Sequence, residues 1–462
     1  MSSKKPTSLA ASFTGLPLVF MLSIMSWSAL NYLNMSYWSF FMTDVAMIST
    51  GLMATILIVS KVVDLVSIPI VGVMIEKIKL PWGKMRSWVI VAPLWITICF
   101  FFMFVNWPFQ EAIRGVLLCA AYCLAVFGIN GLIAAENSVA QMAPKSIEER
   151  AMFATKKGQA SALASFFVGS IMAPCILFFN QLDTEGVGLG YLIAVALFGA
   201  ICIGMHAILF KYYPEEKVIN ETEAESKLKV KVSVFEMFKI FFTTKPVVGI
   251  VVADGFRYLA WMTITGSIAY YATYYLGDAV WMSLFLSGSG IAAIIGAFLS
   301  QILVRYIDKW YLYVSGLIGL IIIMLCAFFF VNGNGIVFIC LMSVAFLCLS
   351  FVNSTQIGMY ADAVDYGVYN AKSDVRGVLM TMIGFAPKIG LLFSGVLVGV
   401  GLTFVGYDAT NVTEQAIAGL PVVMLLIPAC ILLVGVIVLL FTNRLTDKVM
   451  APIREYLTDA GL

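Results

Sequence analysis

Apolar residues run along this chain in long blocks, and polar residues collect in the short stretches between them. A helix needs about 20 mostly apolar residues to cross the hydrocarbon of a membrane. By that length there are twelve blocks: 12–42, 47–75, 87–106, 113–142, 158–181, 187–210, 246–275, 281–304, 310–331, 335–361, 377–404 and 418–442. Several exceed the minimum, which a tilted or broken helix absorbs. The longest polar interruption, 211–245, follows the sixth block. It divides the chain into a six-helix bundle over 1–210, a linker loop over 211–245 and a second six-helix bundle with a short tail over 246–462. The pattern predicts an all-α integral membrane protein. Proteins organised in this way commonly hold a solute near the membrane midplane, between repeats.

Composition agrees with that pattern. Of 462 residues, 61% are hydrophobic and 12% charged, against roughly 45–50% and about 25% in soluble domains. A soluble enzyme, a nucleic-acid binder and a disordered chain are excluded, and a net charge of +2 implies no polyanionic partner. The nine cysteines all fall in apolar stretches. They read as small buried hydrophobes, neither disulfides nor metal ligands, and no cofactor is expected beyond a coupling H⁺ or Na⁺. No nucleophile–base set suggests an enzyme. The N-terminal apolar run is too long for a removable signal peptide. The partners expected are membrane lipid and a small solute, with no obligatory protein partner.

Of the 28 Lys and Arg, only Lys61, Arg257 and Lys388 lie inside apolar blocks. Twenty-four fall in the tails and in the loops after even-numbered blocks, and Arg114 alone falls on the other side. That asymmetry predicts both termini in the cytoplasm.

A charge at bilayer depth costs about 2.5–3.5 kcal/mol on insertion scales and generally faces a cavity or a partner. Lys61 and Asp64, three apart, share a helix face. They form either a local ion pair or a site at which Asp64 takes a coupling cation or proton. Asp254 and Arg257 repeat the spacing and read as a structural pair. Glu136, near Asn130 and Asn137, reads equally as a helix end at the interface or as a sugar-hydroxyl acceptor or proton site. Lys388, between Pro387 and Gly390, sits where freed backbone groups are tolerated beside a cavity, and Asp64 is a plausible mate. In the first block Trp27, Ser28, Asn31 and Tyr32 lie mid-span, where rings can stack on a sugar and polar groups can meet its hydroxyls. His206, the only histidine, reads as a packing residue.

Three segments together carry a family resemblance. They are FMTDVAMISTGLMATILIVSKVVDLVSIPIVG at 41–72, PWGKMRSW at 81–88 and MYADAVDYGVYNAKSDVRGVLMTMIGFAPKIG at 359–390. The chain resembles the glycoside–pentoside–hexuronide:cation symporters, the melibiose-permease-like branch of the major facilitator superfamily. The resemblance implies a twelve-helix secondary transporter that moves a sugar, glycoside or uronide by alternating access, coupled to a cation. An uncoupled facilitator and a carrier of lipid or another solute are the alternatives.

By the same resemblance Asp64, Ser67 and Lys388 are candidate cation-coupling residues. The family's second helix-two acid is Ile68 here, which removes a hard oxygen ligand and makes a proton more plausible than Na⁺. Trp27, Ser28, Asn31, Tyr32, Asn130, Glu136, Lys157 and Lys388 are candidate substrate-binding residues. Ser28 stands near the position of a family sugar-binding Asp, so a substrate unlike melibiose is implied. Lys84, Arg86, Asp362, Asp365 and Arg376 match charged loops that act as a gate.

Overall fold

A computed structural model describes residues 15–78, 81–83, 85–142, 147–212, 241–372, 375, 379, 383 and 385–459. Among the described residues twelve helices are long and apolar enough to span a membrane. They are α1 Leu16–Val45, α2 Thr50–Ile75, α3 Arg86–Met103, α4 Glu111–Ala140, α5 Lys156–Gln181 and α6 Leu189–Tyr212, then α7 Lys245–Tyr275, α8 Val280–Leu303, α9 Lys309–Phe330, α10 Gly335–Ala371, α11 Ala386–Phe404 and α12 Glu414–Thr442. A further amphipathic helix, α13, runs over Asp447–Asp459.

The chain folds as two compact units, Met1–Lys229 and Val230–Leu462. In the first, α1 packs on α5 and α6, α2 on α4, and α3 on α4 and α6. In the second, α7 packs on α11 and α12, α8 on α10, and α9 on α10 and α12. The same five pairings recur with each helix shifted by six, so the duplication that is faint in the sequence is explicit in the packing.

The opening helices of the two units also end alike. α1 closes in a π turn over Phe41–Val45, and α7 in one over Tyr271–Tyr275. Each is followed by a residue at positive φ, Met47 at 48° and Gly277 at 79°. Glycine adopts that conformation without strain, whereas a side chain at Met47 resists it.

Lipid as solvent explains the outer surface. Phe404, Phe441, Ile336 and many Val and Ile residues face outward, where hydrocarbon accepts them at no cost. Cys340 and Cys430 are also exposed, so two of the nine cysteines are surface residues and not the buried hydrophobes expected.

Helix ends depart from the sequence reading where charge interrupts hydropathy. α10 continues past 361 to Ala371, so Asp362 and Asp365 lie on a helix and not in a loop. Its start is capped by Asn334, whose side chain accepts from Ile336 N and Val337 N. Of the expected eleventh block, most of 377–384 lies outside the described residues.

Candidate functional site

In the first unit a polar strip runs across four helices. On α1, Ser28, Asn31 and Tyr32 are half-buried, on one edge of the helix, while Trp27 points into the core. Tyr32 bonds to Ser165 of α5. Lys157, at the start of α5, is exposed and donates to Asn137 Oδ1 of α4 at 2.9 Å. Asn130, two turns earlier on α4, reaches α2. Three hydrogen bonds thus tie α1 to α5, α5 to α4 and α4 to α2.

At the α2 end of that strip lies Asp64, half-buried. Asn130 Nδ2 donates to Asp64 Oδ1 at 2.9 Å and to Ser67 Oγ at 2.7 Å. Ser67 Oγ in turn donates to the Asp64 carbonyl at 2.8 Å. The expected pairing with Lys61 is not made. Lys61 Nζ donates to Tyr122 OH of α4 at 2.6 Å and sits 5.1 Å from the centre of that ring. Three residues of spacing bring two side chains to one face, but the phenol draws the ammonium to α4. Asp64 is therefore a carboxylate held by an amide with no cation from its own helix. Ile68, one residue past Ser67, is exposed and adds no oxygen.

Glu136 is buried, and so is His206. They meet: His206 Nε2 lies 3.3 Å from Glu136 Oε1. The Glu136 carboxyl is turned to α6. His206 is more than a packing residue. A separation of 70 positions along the chain hides the pair from any local reading.

The second unit has its own buried polar centre. Arg257 Nε donates to Asp254 Oδ1 at 2.5 Å, as the i,i+3 spacing predicts, and Arg257 Nη1 donates to Asn353 Oδ1 of α10 at 2.8 Å. Tyr313 OH of α9 also donates to Asp254 Oδ1, at 3.2 Å. Gln356 Nε2 and Tyr360 OH of α10 both donate to Asp254 Oδ2. Four donors on one carboxylate repay the desolvation that burial imposes on it. Tyr313, Tyr360 and Tyr122 were not legible as site residues, since a tyrosine in an apolar block has the same pattern as a packing aromatic.

Lys388 is half-buried on α11. Two residues on, Gly390 lets α11 lie against α7, because a Cβ there would come within 2.6 Å of Tyr258 Cβ and 2.7 Å of Leu259 N.

At the far end of α10, Asp362 is buried between two cations. Lys309 Nζ is 2.7 Å from Oδ2 and Arg454 Nη2 is 2.6 Å from Oδ1. Asp447 adds longer approaches of 3.6 and 3.7 Å to the same two cations. The hydrogen bond from the Arg454 side chain to Asp362 holds the guanidinium in its charged form above the usual arginine range. Arg454 and Asp447 belong to α13, so the network fastens that helix to α9 and α10. Arg86 donates from Nε to the Phe210 carbonyl at 3.0 Å and stacks over the Phe210 ring at 4.2 Å. Asp365 is half-buried on α10. Lys84 and Arg376, the remaining gate candidates, lie outside the described residues.

This assembly of two pseudo-repeated bundles with polar side chains at membrane depth has counterparts among known proteins. Residues 8–447 match the family described as MFS/sugar transport proteins. The chain belongs to that family. This transporter, rather than an enzyme, is 26% identical over 419 residues to the uncharacterized symporter YjmB of Bacillus subtilis (strain 168), covering 89% of this chain and 88% of that protein. It is 23% identical over 429 residues to the isoprimeverose transporter of Lactiplantibacillus pentosus, covering 91% and 87%. The crystal structure of the D-xylose-proton symporter shares the fold with a TM-score of 0.63 at 15% identity, over 92% of this chain and 96% of that one. The major facilitator fold and the resemblance to the glycoside–pentoside–hexuronide branch both hold for this transporter.

Proposed function

We propose that this transporter carries a sugar, glycoside or uronide through a bacterial cytoplasmic membrane with both termini inside, driven by a coupled cation, and that the cation is a proton. The single observation behind the coupling is Asp64, a half-buried carboxylate on the polar strip that Asn130 and Ser67 hold and Lys61 does not neutralise. Such a carboxylate is open to a cation. Na⁺ asks for several hard oxygens, and Ile68 occupies the position of the family's second acid. A proton needs one. The sugar side of the reading is supported by the relatives named above and by Ser28, Asn31 and Tyr32 on the same strip. Lys157 and Asn137 tie α5 to α4 within it. The orientation rests on the 24 basic residues on one side against one on the other,.

The test is uptake into vesicles holding the purified protein, with a panel of labelled glycosides, pentosides and uronides and an imposed pH or Na⁺ gradient. Accumulation of one or more of them above the outside concentration, with a pH gradient alone, is the expected result. Equilibration without accumulation under either gradient makes the protein an uncoupled facilitator. No uptake across the panel overturns the sugar reading.

A further inference from the structure

The buried pair of Glu136 and His206 has a proton count fixed by its geometry. His206 Nδ1 lies 2.9 Å from the carbonyl oxygen of Cys202. A carbonyl only accepts, so Nδ1 carries a hydrogen. That leaves Nε2 facing Glu136 Oε1 at 3.3 Å. Were both unprotonated, two lone pairs would oppose each other where water cannot relieve them, since both side chains are buried. One proton must therefore lie between them. Either the imidazolium donates to a carboxylate or a carboxylic acid donates to a neutral imidazole. Both arrangements hold the same proton and have zero net charge.

Among the described residues, hydrogen bonds around the pair run to other groups. Cys202 Sγ of α6 lies 3.6 Å from Nδ1, on the other side of the ring. α1 faces the adjacent residue with Ser23, whose Oγ bonds to the Met205 carbonyl at 3.1 Å. α3 brings Arg86 a turn further along, already donating to the Phe210 carbonyl. α5 meets α6 at the opposite end, where Asn180 accepts from Gly190 N.

We propose that Glu136 and His206 form a second proton-carrying site of this transporter, which keeps one shared proton while the two side chains meet and gives it to water when they part. This deepens the proton-coupled reading and rests on it. In water a free carboxyl and a free imidazole titrate at about 4.3 and 6.5. Above the second value, a carboxyl and an imidazole that are parted hold no shared proton. The Nε2–H···Oε1 hydrogen bond breaks, the proton passes to water, and its electron pair stays on the nitrogen or on the carboxylate. On closing, the pair takes one proton back. Mild acid therefore favours the closed pair. Glu136 follows Asn130 by six residues, about 9 Å along α4, so a single helix bears both this site and the amide that holds Asp64.

Because the chain has one histidine, ¹⁵N-imidazole labelling reports His206 alone. In lipid nanodiscs at neutral pH, the Nε2 resonance of the wild type is expected away from the position of a bare nitrogen, and Glu136→Ala, which removes the proton-sharing carboxyl and supplies no donor, should return it there. A bare Nε2 in the wild type that Glu136→Ala leaves in place overturns the proposal, and this readout needs no sugar. In vesicles supplied with a labelled β-glucoside, xyloside and glucuronide, Glu136→Gln and His206→Gln should each lower pH-driven accumulation about tenfold more than they lower sugar exchange. An equal fall in both activities, matched by a fall in melting temperature, makes the pair a brace between helices and rejects the proton role. A wild type that carries none of the sugars yet shows the shared proton rejects the sugar reading and keeps this inference.

Discussion

Asn130 donates its amide to Asp64 Oδ1 at 2.9 Å, while Lys61, one turn earlier on the same helix as Asp64, gives its ammonium to Tyr122. The two charged side chains of α2 are thereby separated onto different partners of α4. A charge-neutralising pair would leave Asp64 with nothing to exchange. An amide partner leaves its charge available to a cation.

From that separation, Asp64→Asn is expected to reduce gradient-driven accumulation by about tenfold or more, in the range of a typical coupling free energy, because an amide cannot take the proton. Lys61→Met should reduce it less. Vesicle uptake under a pH gradient checks both, and intact accumulation in Asp64→Asn would make the residue structural.

The Asp254 network yields a stability prediction. Arg257→Ala leaves a carboxylate buried with neutral donors only, and breaking a buried pair from one side costs about 3–5 kcal/mol. The double variant Asp254→Ala/Arg257→Ala should lose less than Arg257→Ala alone, since no bare charge remains. Thermal unfolding in detergent measures the order of the two.

Asp362 predicts the behaviour of α13. Asp362→Asn removes the charge shared by Lys309 and Arg454, so amide hydrogen exchange over Asp447–Asp459 should quicken by about tenfold or more, the effect of losing roughly 1.4 kcal/mol of docking. Arg454 is 44% exposed, so Arg454→Ala should have the smaller effect, one that weakens further in high salt.

How far the sequence discloses this arrangement depends on distance along the chain. Twelve spans, two halves and the place of Asp64 are legible because each rests on local hydropathy or on a short motif. The end of α10 is not. Charge at Asp362 and Asp365 lowers the hydropathy there, yet the helix continues to Ala371, with Lys309 and Arg454, brought in by folding, neutralising Asp362. Lys61 and Asp64 are misleading for the same reason: spacing shows which side chains share a face but not that Tyr122 waits across the groove. Glu136 and His206 each look solitary until folding brings their side chains to 3.3 Å.

Asp183 gives a pH-dependent test remote from the transport residues. It accepts from the backbone N–H groups of Gly188 and Leu189 at 2.7 and 2.9 Å, and more weakly from Val187, just ahead of α6. Burial works against its ionisation, but those amides outweigh it and hold the carboxyl below the usual range. A lowered value in the folded state means that this stabilisation is complete above about pH 3.9, the unfolded value, and is lost as pH falls through the folded one. Asp183→Asn should cost about 1 kcal/mol at neutral pH and abolish that acid dependence, read from the melting temperature between neutral and acid pH.

The central claim is that sugar and proton cross together. It is tested most directly by sealing a pH-sensitive dye inside vesicles of the wild-type protein and adding a sugar outside with no gradient imposed. The account predicts that the lumen acidifies as the labelled sugar enters, and that Asp64→Asn removes the acidification. Sugar uptake with no change in internal pH would contradict it.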